Sequence, residues 1–260
     1  MEFETIIYEV RDRVGLLHFN RPEGANAVNP TFSRELRQAM LDIHYDDDVK
    51  AVAVTAEGKV FCAGGDLKLF HAWGDQMARH AHDMLVDFHA AIHMMNNTPK
   101  PFVAGIRGAA GGAGLSLMSA FDLVVSGESA KYTMAYTKAG VTPDGTSSYF
   151  LTRHIGLRRM LDLTLTNRVL SAEEAESWGL VNRIVADDDV DTATVDLATT
   201  LASGATFALG NAKRVIYNGL EHPLESASEF EAAMITKAMA TADGIEGVAA
   251  FIEKRPPEFG

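Results

Sequence analysis

The chain has 260 residues, 47% hydrophobic and 22% charged, an ordinary composition for a soluble globular protein long enough to bury a sizeable core. Its formal net charge of −12 argues against a nucleic-acid partner, and a single cysteine, Cys62, excludes an intrachain disulfide framework and fits a reducing compartment. The opening Met1-Glu2-Phe3-Glu4-Thr5 lacks the pattern of a signal peptide, and no apolar run approaches the roughly 18 residues of a membrane span, so a cytoplasmic protein with no membrane partner is expected.

Strand-like and helix-like runs alternate along the first half. Val14–Asn20 reads as a strand ending in the turn Arg21-Pro22-Glu23-Gly24, and the spacing of Phe32, Leu36, Met40 and Ile43 predicts a helix over Pro30–Tyr45. The apolar run Ala51–Val54 leads into the glycine-rich elbow Phe61-Cys62-Ala63-Gly64-Gly65-Asp66-Leu67. A helical stretch follows over Lys68–Met95, interrupted near Gly74. A strand over residues 101–106 then enters a second elbow, Gly105–Leu115, continued by a short helix over Gly112–Ala120 and a strand over Asp122–Val125. This alternation predicts an α/β arrangement of parallel strands.

Beyond residue 150 helices predominate. Ser171-Ala172-Glu173-Glu174 has the form of a capping box, Trp178-Gly179 marks a stop, and Leu180–Val185 reads as one more strand. Helical patterns cover Ala208–Leu220 and Leu224–Ala242. The sequence divides into a core over 1–198 and a helical C-terminal region over 199–260. Met234, Ile235, Met239 and Phe251 of that region are expected to pack on the core or on another subunit.

Glycine and alanine leave the main chain of both elbows uncovered, so backbone N–H groups are free to approach a ligand closely. Two such donors aimed at one point stabilise charge developing on a carbonyl oxygen. A dinucleotide site fits less well: Gly105, Gly108 and Gly111 are spaced by three, not as G-x-G-x-x-G. Tight helix–strand packing accounts for one elbow better than for two. His71, His80, His82, His89 and His93 share one helical region, but His89/His93 lack the glutamate of H-E-x-x-H, and no metal is expected.

Read together, the motifs resemble the crotonase (enoyl-CoA hydratase/isomerase) superfamily nearly end to end. They are Asn20-Arg21-Pro22 with Asn26-Ala27, the two elbows, Phe121-Asp122-Leu123, Gly140–Asp144, Leu170–Ala175 through Trp178–Val181, and Phe251–Arg255. The resemblance implies a spiral of ββα units, a helical C-terminal trimerisation region, and a homotrimer or a hexamer of two trimers. It also implies an acyl-CoA thioester ligand, no tightly bound cofactor, and oxyanion donors at the N–H groups of Gly65 and Ala113. Coenzyme A would lie along Ala25, Asn26 and Ala27 and along Ala63, Gly65, Asp66 and Leu67, with Lys254 or Arg255 available for phosphate.

The chain departs from the family's hydratases at the two glutamates that position water, where it carries Ser116 and Tyr136. The remaining carboxylate, Asp144, stands where isomerase-like members place a catalytic aspartate, although Pro143-Asp144-Gly145 is also a turn signal by itself. Double-bond isomerisation with Asp144 as proton shuttle is therefore expected. Two alternatives stay open. One is a dehalogenase resembling those for 4-chlorobenzoyl-CoA, with Asp144 as nucleophile, His89 activating water and Tyr136 in place of a tryptophan; Gly65 stands where that branch has a bulky aromatic. The other is a CoA-ester binder without catalysis. The acyl group is bounded by residues 68–95, where Phe70, Trp73, Met77 and Met84 line a pocket or belong to the core.

Overall fold

Alternation of side chains along a few short strands decides the layering. The computed structural model describes residues 3–260. In chain order the first strands are β1 (Ile6–Arg11) and β2 (Val14–Phe19), followed by helix α1 (Pro30–Tyr45) and β3 (Ala51–Ala56). Helices α2 (Leu67–Ala72) and α3 (Met77–Asn97) precede β4 (Phe102–Ile106), β5 (Ala109–Gly111), α4 (Ala113–Met118), β6 (Leu123–Gly127) and β7 (Lys131–Thr133). Then come α5 (Ser147–Ile155), α6 (Leu157–Thr166), β8 (Leu170–Ser171), α7 (Ala172–Ser177), β9 (Arg183–Val185) and α8 (Val190–Ala202). Three helices end the chain: α9 (Thr206–Glu221), α10 (Leu224–Met239) and α11 (Ala242–Glu253).

The main sheet has the order β1-β2-β3-β4-β6-β9, parallel except for the β1/β2 pair. On β3, Val52 and Val54 point into the principal core with α1 and α3, while Ala51 and Ala53 face α8. The period of two sorts the larger side chains to one face and the smaller to the other. Small alanines let α8 lie close, where Ala198 and Ala202 complete the second cluster. Helix α1 begins at Asn29, whose side chain accepts the Phe32 N–H at 2.8 Å, and buries Phe32, Leu36, Ala39, Met40 and Ile43. Each such side chain contributes about 1.5–3 kcal/mol on burial. Helix α3 buries Met84, Phe88, Ala91, Ile92 and Met95 on the facing stripe.

A second sheet, β5-β7-β8, lies at the end of the second elbow. There the sequence suggests bare loop, because β5 is only alanine and glycine and β7 and β8 are three and two residues long, too short to show a strand pattern. The sequence also gives no sign of β1, whose exposed Glu9 and Arg11 mask an edge strand. The strand expected over 180–185 shortens to β9, and the helix expected over 224–242 ends at Met239, with Thr241 capping α11. The capping box at Ser171 and Glu174 is complete in both directions. No helix among the described residues is long and apolar enough to cross a membrane.

Residue 198 falls inside α8, which packs on the sheet, and α9 follows it at Thr206. Lys213 ties α9 to the sheet by donating to Asp122 Oδ2 at 2.9 Å and to the Met95 carbonyl at 2.8 Å. Ile235, Met239 and Phe251 are exposed in the protomer, which overturns packing on the core and leaves another subunit as the expected partner.

The second elbow tolerates no side chain at its first turn. Gly108 has φ +70°, and a Cβ there would stand 1.7 Å from the Lys59 carbonyl oxygen. Gly108→Ala is expected to destabilise the protein by at least the roughly 1–3 kcal/mol of backbone strain. The midpoint of urea unfolding at unchanged m measures it.

Candidate active site

The two elbows are stitched to each other along one side. Phe61 N–H donates to the Arg107 carbonyl at 3.0 Å, Cys62 N–H to Ala109 at 3.2 Å, and Gly111 N–H back to Cys62 at 3.0 Å. Gly64 has φ +114°, and a Cβ on it would stand 3.0 Å from the Gly111 oxygen and 3.5 Å from the Ala113 nitrogen. Only glycine permits that conformation and that approach. On the other side Ala63 N–H donates to Ala25, Val28 N–H to Gly64 at 2.7 Å, and Asp66 N–H to Val28 at 3.0 Å. Within this lacing the N–H groups of Gly65 and Ala113 have no acceptor among the described residues. They are the pair expected from the sequence, and the Gly64–Ala113 approach brings their two segments together.

A polar clamp fixes the ledge beneath the first elbow. Ala25 and Asn26 are both left-handed, with φ 50°, a conformation that strains alanine more than asparagine. Asn26 holds it: its amide donates to the Glu57 and Val60 carbonyls at 3.0 and 2.8 Å, and its oxygen accepts the Arg21 N–H at 2.9 Å. Arg21 donates to the Ala27 carbonyl at 3.1 Å and to Asp66 Oδ2 at 2.6 Å, and Asp66 caps α2 through the Leu69 N–H. The side chains of Asn26 and Ala27 are thus buried supports of the segment along which coenzyme A is expected, while Ala63 and Leu67 are exposed. Burial works to raise the Asp66 pKa, but the bonds from Arg21 and the α2 amides outweigh it and hold the carboxyl below its usual value.

The expected acid–base residues converge from three elements. His89 of α3 donates through Nε2 to Asp144 Oδ1 at 3.0 Å, leaving Oδ2 without a partner among the described residues. Ser116 Oγ of α4 and Tyr136 Oη lie 2.9 Å apart, so the two positions that hold glutamates in hydratases meet in space as neutral hydroxyls. Tyr136 Oη and Ser147 Oγ lie 3.2 and 3.0 Å from the Asp144 carbonyl. A Cβ on Gly145 would stand 2.9 Å from Ser116 Cβ, which sets the Asp144 loop directly on α4. Burial, offset in part by the Ser116 bond, pushes the Tyr136 phenol well above its ordinary range, so it stays protonated at neutral pH.

The other candidates separate. Met84 is core, Met77 is exposed, and Phe70 and Trp73 stack at 5.0 Å beside the hole. The Phe70 ring, on α2, fills the space a Gly65 side chain would take, 2.6 Å from its ideal Cβ; the contact depends on how α2 folds back over the elbow, which the sequence does not display. His71, His80, His82 and His93 are exposed, and no group of three or more His, Cys, Asp or Glu gathers among the described residues. Arg255 is taken up by Glu246 and Glu253, whereas Lys254 caps α11 with no ion pair among the described residues. Burial pushes the Cys62 thiol up to about 12, so it is no nucleophile at neutral pH.

Because the folded Asp66 pKa is lowered, its stabilisation is present above the unfolded carboxyl value of about 4 and is lost as pH falls through the folded value. Asp66→Asn is expected to cost about 1–3 kcal/mol at pH 7. The deficit should shrink toward pH 3, as read by denaturant unfolding at both pH values.

Residues 9–260 match the family model described as enoyl-CoA hydratase/isomerase. Among similar proteins is the probable enoyl-CoA hydratase echA8 of Mycobacterium tuberculosis, 36% identical over 100% of this chain and 99% of that protein. A 4-chlorobenzoyl coenzyme A dehalogenase of an Arthrobacter species is 36% identical over 87% of this chain and 82% of its own length. The 1,2-epoxyphenylacetyl-CoA isomerase of Escherichia coli is 33% identical over 98% of both. The crystal structure of an enoyl-CoA hydratase from Polaromonas superposes with a TM-score of 0.93 at 29% identity, covering 98% of this chain and 99% of that one. With its elbows, sheet order and C-terminal helices in place, the chain belongs to the enoyl-CoA hydratase/isomerase family and has the crotonase fold.

Proposed function

We propose that the protein isomerises the double bond of an acyl-CoA thioester through an enolate. The observation that carries this reading is one carboxylate, Asp144, held by His89 beside a neutral Ser116–Tyr136 pair. Addition of water calls for groups that orient the water and move its proton, and the two hydroxyls here are bonded to each other. A 1,3-proton shift needs one base. With the thioester oxygen on the Gly65 and Ala113 N–H groups, Asp144 Oδ2 takes a proton from C2 of a 3-enoyl-CoA. The electron pair delocalises into a dienolate, and Asp144 returns the proton to C4, giving the 2-enoyl-CoA. One oxyanion donor is worth about 3–4 kcal/mol at such a transition state.

Coenzyme A would rest on the half-buried Ala25 and the exposed Ala63 and Leu67, with Lys254 supplying a charge for phosphate. The exposed Ile235, Met239 and Phe251 support assembly into a homotrimer or a hexamer of two trimers, in a cytoplasmic setting.

The His89–Asp144 contact favours a second reading, in which Asp144 attacks a ring carbon bearing halide and His89 activates water against the aspartyl adduct. The Phe70 ring beside Gly65 supplies an aromatic wall from the next helix.

Asp144→Asn is expected to lower turnover of 3-hexenoyl-CoA by about 10²–10⁴-fold with KM little changed, and to abolish deuterium exchange at C2. Full turnover in the variant would overturn the isomerase reading. Chloride release from 4-chlorobenzoyl-CoA with an aspartyl adduct in the mass spectrum would establish the second. If the native protein binds acyl-CoA and shows neither exchange nor halide release, it is a binder without catalysis.

A further inference from the structure

The carbonyl of Gly112 and the N–H of Ala113 belong to one peptide unit, so whatever bonds to the carbonyl strengthens the N–H on the opposite side. That carbonyl accepts two donors from a single residue: the Ser116 N–H at 3.0 Å and the Ser116 hydroxyl at 3.2 Å. A serine hydroxyl bonding back four residues is common in helices and by itself changes little. Here the hydroxyl is fully buried and is met by the Tyr136 hydroxyl at 2.9 Å. Each hydroxyl has one proton: with that of Ser116 on Gly112, Tyr136 donates to Ser116; with that of Ser116 on Tyr136, Tyr136 donates to the Asp144 carbonyl at 3.2 Å.

We propose that Ser116 is a positioning residue of the oxyanion hole, its hydroxyl, fed by Tyr136, polarising the Gly112–Ala113 peptide whose N–H receives the thioester oxygen. The row Tyr136 O–H, Ser116 O–H, Gly112 carbonyl, Ala113 N–H has every dipole in the same sense, the arrangement in which hydrogen bonds reinforce one another. The other donor has a weaker row. The Gly64 carbonyl, in one peptide with the Gly65 N–H, accepts the Val28 N–H at 2.7 Å and, from a side chain, the Cys62 thiol at 4.0 Å, a weak donor with no further hydroxyl behind it. The Ala113 half of the hole is therefore the half that hydroxyl groups tune. The position that holds a water-directing carboxylate in hydratases serves the carbonyl end of the substrate instead.

The inference rests on the reading that the hole holds a thioester carbonyl, and its test separates the two. Benzoyl-CoA labelled with ¹³C at the thioester carbonyl has no proton at C2 and is inert to proton abstraction. Its carbonyl stretch is recorded by infrared difference spectroscopy, free and bound to the full chain. The native protein should move the stretch to lower frequency. If benzoyl-CoA fails to bind, or binds with no movement, the oxyanion reading fails and the proposal with it.

Given the native movement, Ser116→Ala should return the stretch part of the way toward the free value. It should also lower kcat on 3-hexenoyl-CoA about two- to sevenfold at nearly constant KM. Ser116→Cys, similar in volume but a weak donor, should behave like the alanine variant, which separates the hydrogen bond from packing. Tyr136→Phe should shift the stretch less, in the same direction, and the double variant no further than Ser116→Ala. A native stretch in both Ser116 variants, or additive effects of the Ser116 and Tyr136 changes, would overturn the proposal while leaving the oxyanion reading standing.

Discussion

Two amide N–H groups, those of Gly65 and Ala113, are kept without an acceptor at the meeting point of three segments far apart in the sequence. An unpaired buried donor costs about 1–3 kcal/mol, so the fold has to prevent the backbone from relaxing to satisfy them. Residues 57–66 bond to residues 21–28 on one side and to residues 107–113 on the other. Gly64 permits the approach, Arg21 and Asp66 fix the outer edge, and Cys62 and Gly111 fix the inner edge. The sheet behind them, with α8 close against its alanine face, supplies the rigid frame on which such a vacancy persists.

Much of this was legible in the residues. Pro30–Tyr45 was readable as a helix because Phe32, Leu36, Met40 and Ile43 keep a helical period, and the elbows were readable because glycine and alanine cluster after apolar runs. Edge and surface features were not. β1 is hidden because its outward residues are charged, and β5, β7 and β8 because runs of two or three residues carry no period. The pairing of His89 with Asp144 joins residues 55 apart through tertiary packing. That Asn26 supports the ledge from within was equally invisible, since an asparagine in a turn reads the same whether its amide faces ligand or carbonyl.

On the proposed isomerisation, the scaffold keeps its carbonyl-binding half and alters the half that acts on the acyl chain. Ser116 and Tyr136 place neutral hydroxyls there, bonded to each other and to the backbone beside them. The acidic and basic side chains that meet there are Asp144 and its histidine. On the proposed isomerisation they work on one side of the acyl chain and the backbone donors on the other, a division suited to moving a single proton.

Cys62, the chain's only cysteine, sits inside the first elbow with its backbone bonded on both sides to the second. Its thiol is fully buried and held protonated, so alkylating reagents and oxidants meet it only when the elbows part. The thiol therefore serves as a built-in probe of opening. Where reclosing is fast, its labelling rate follows the population of the opened form, and a ligand held by the closed elbows would lower that population.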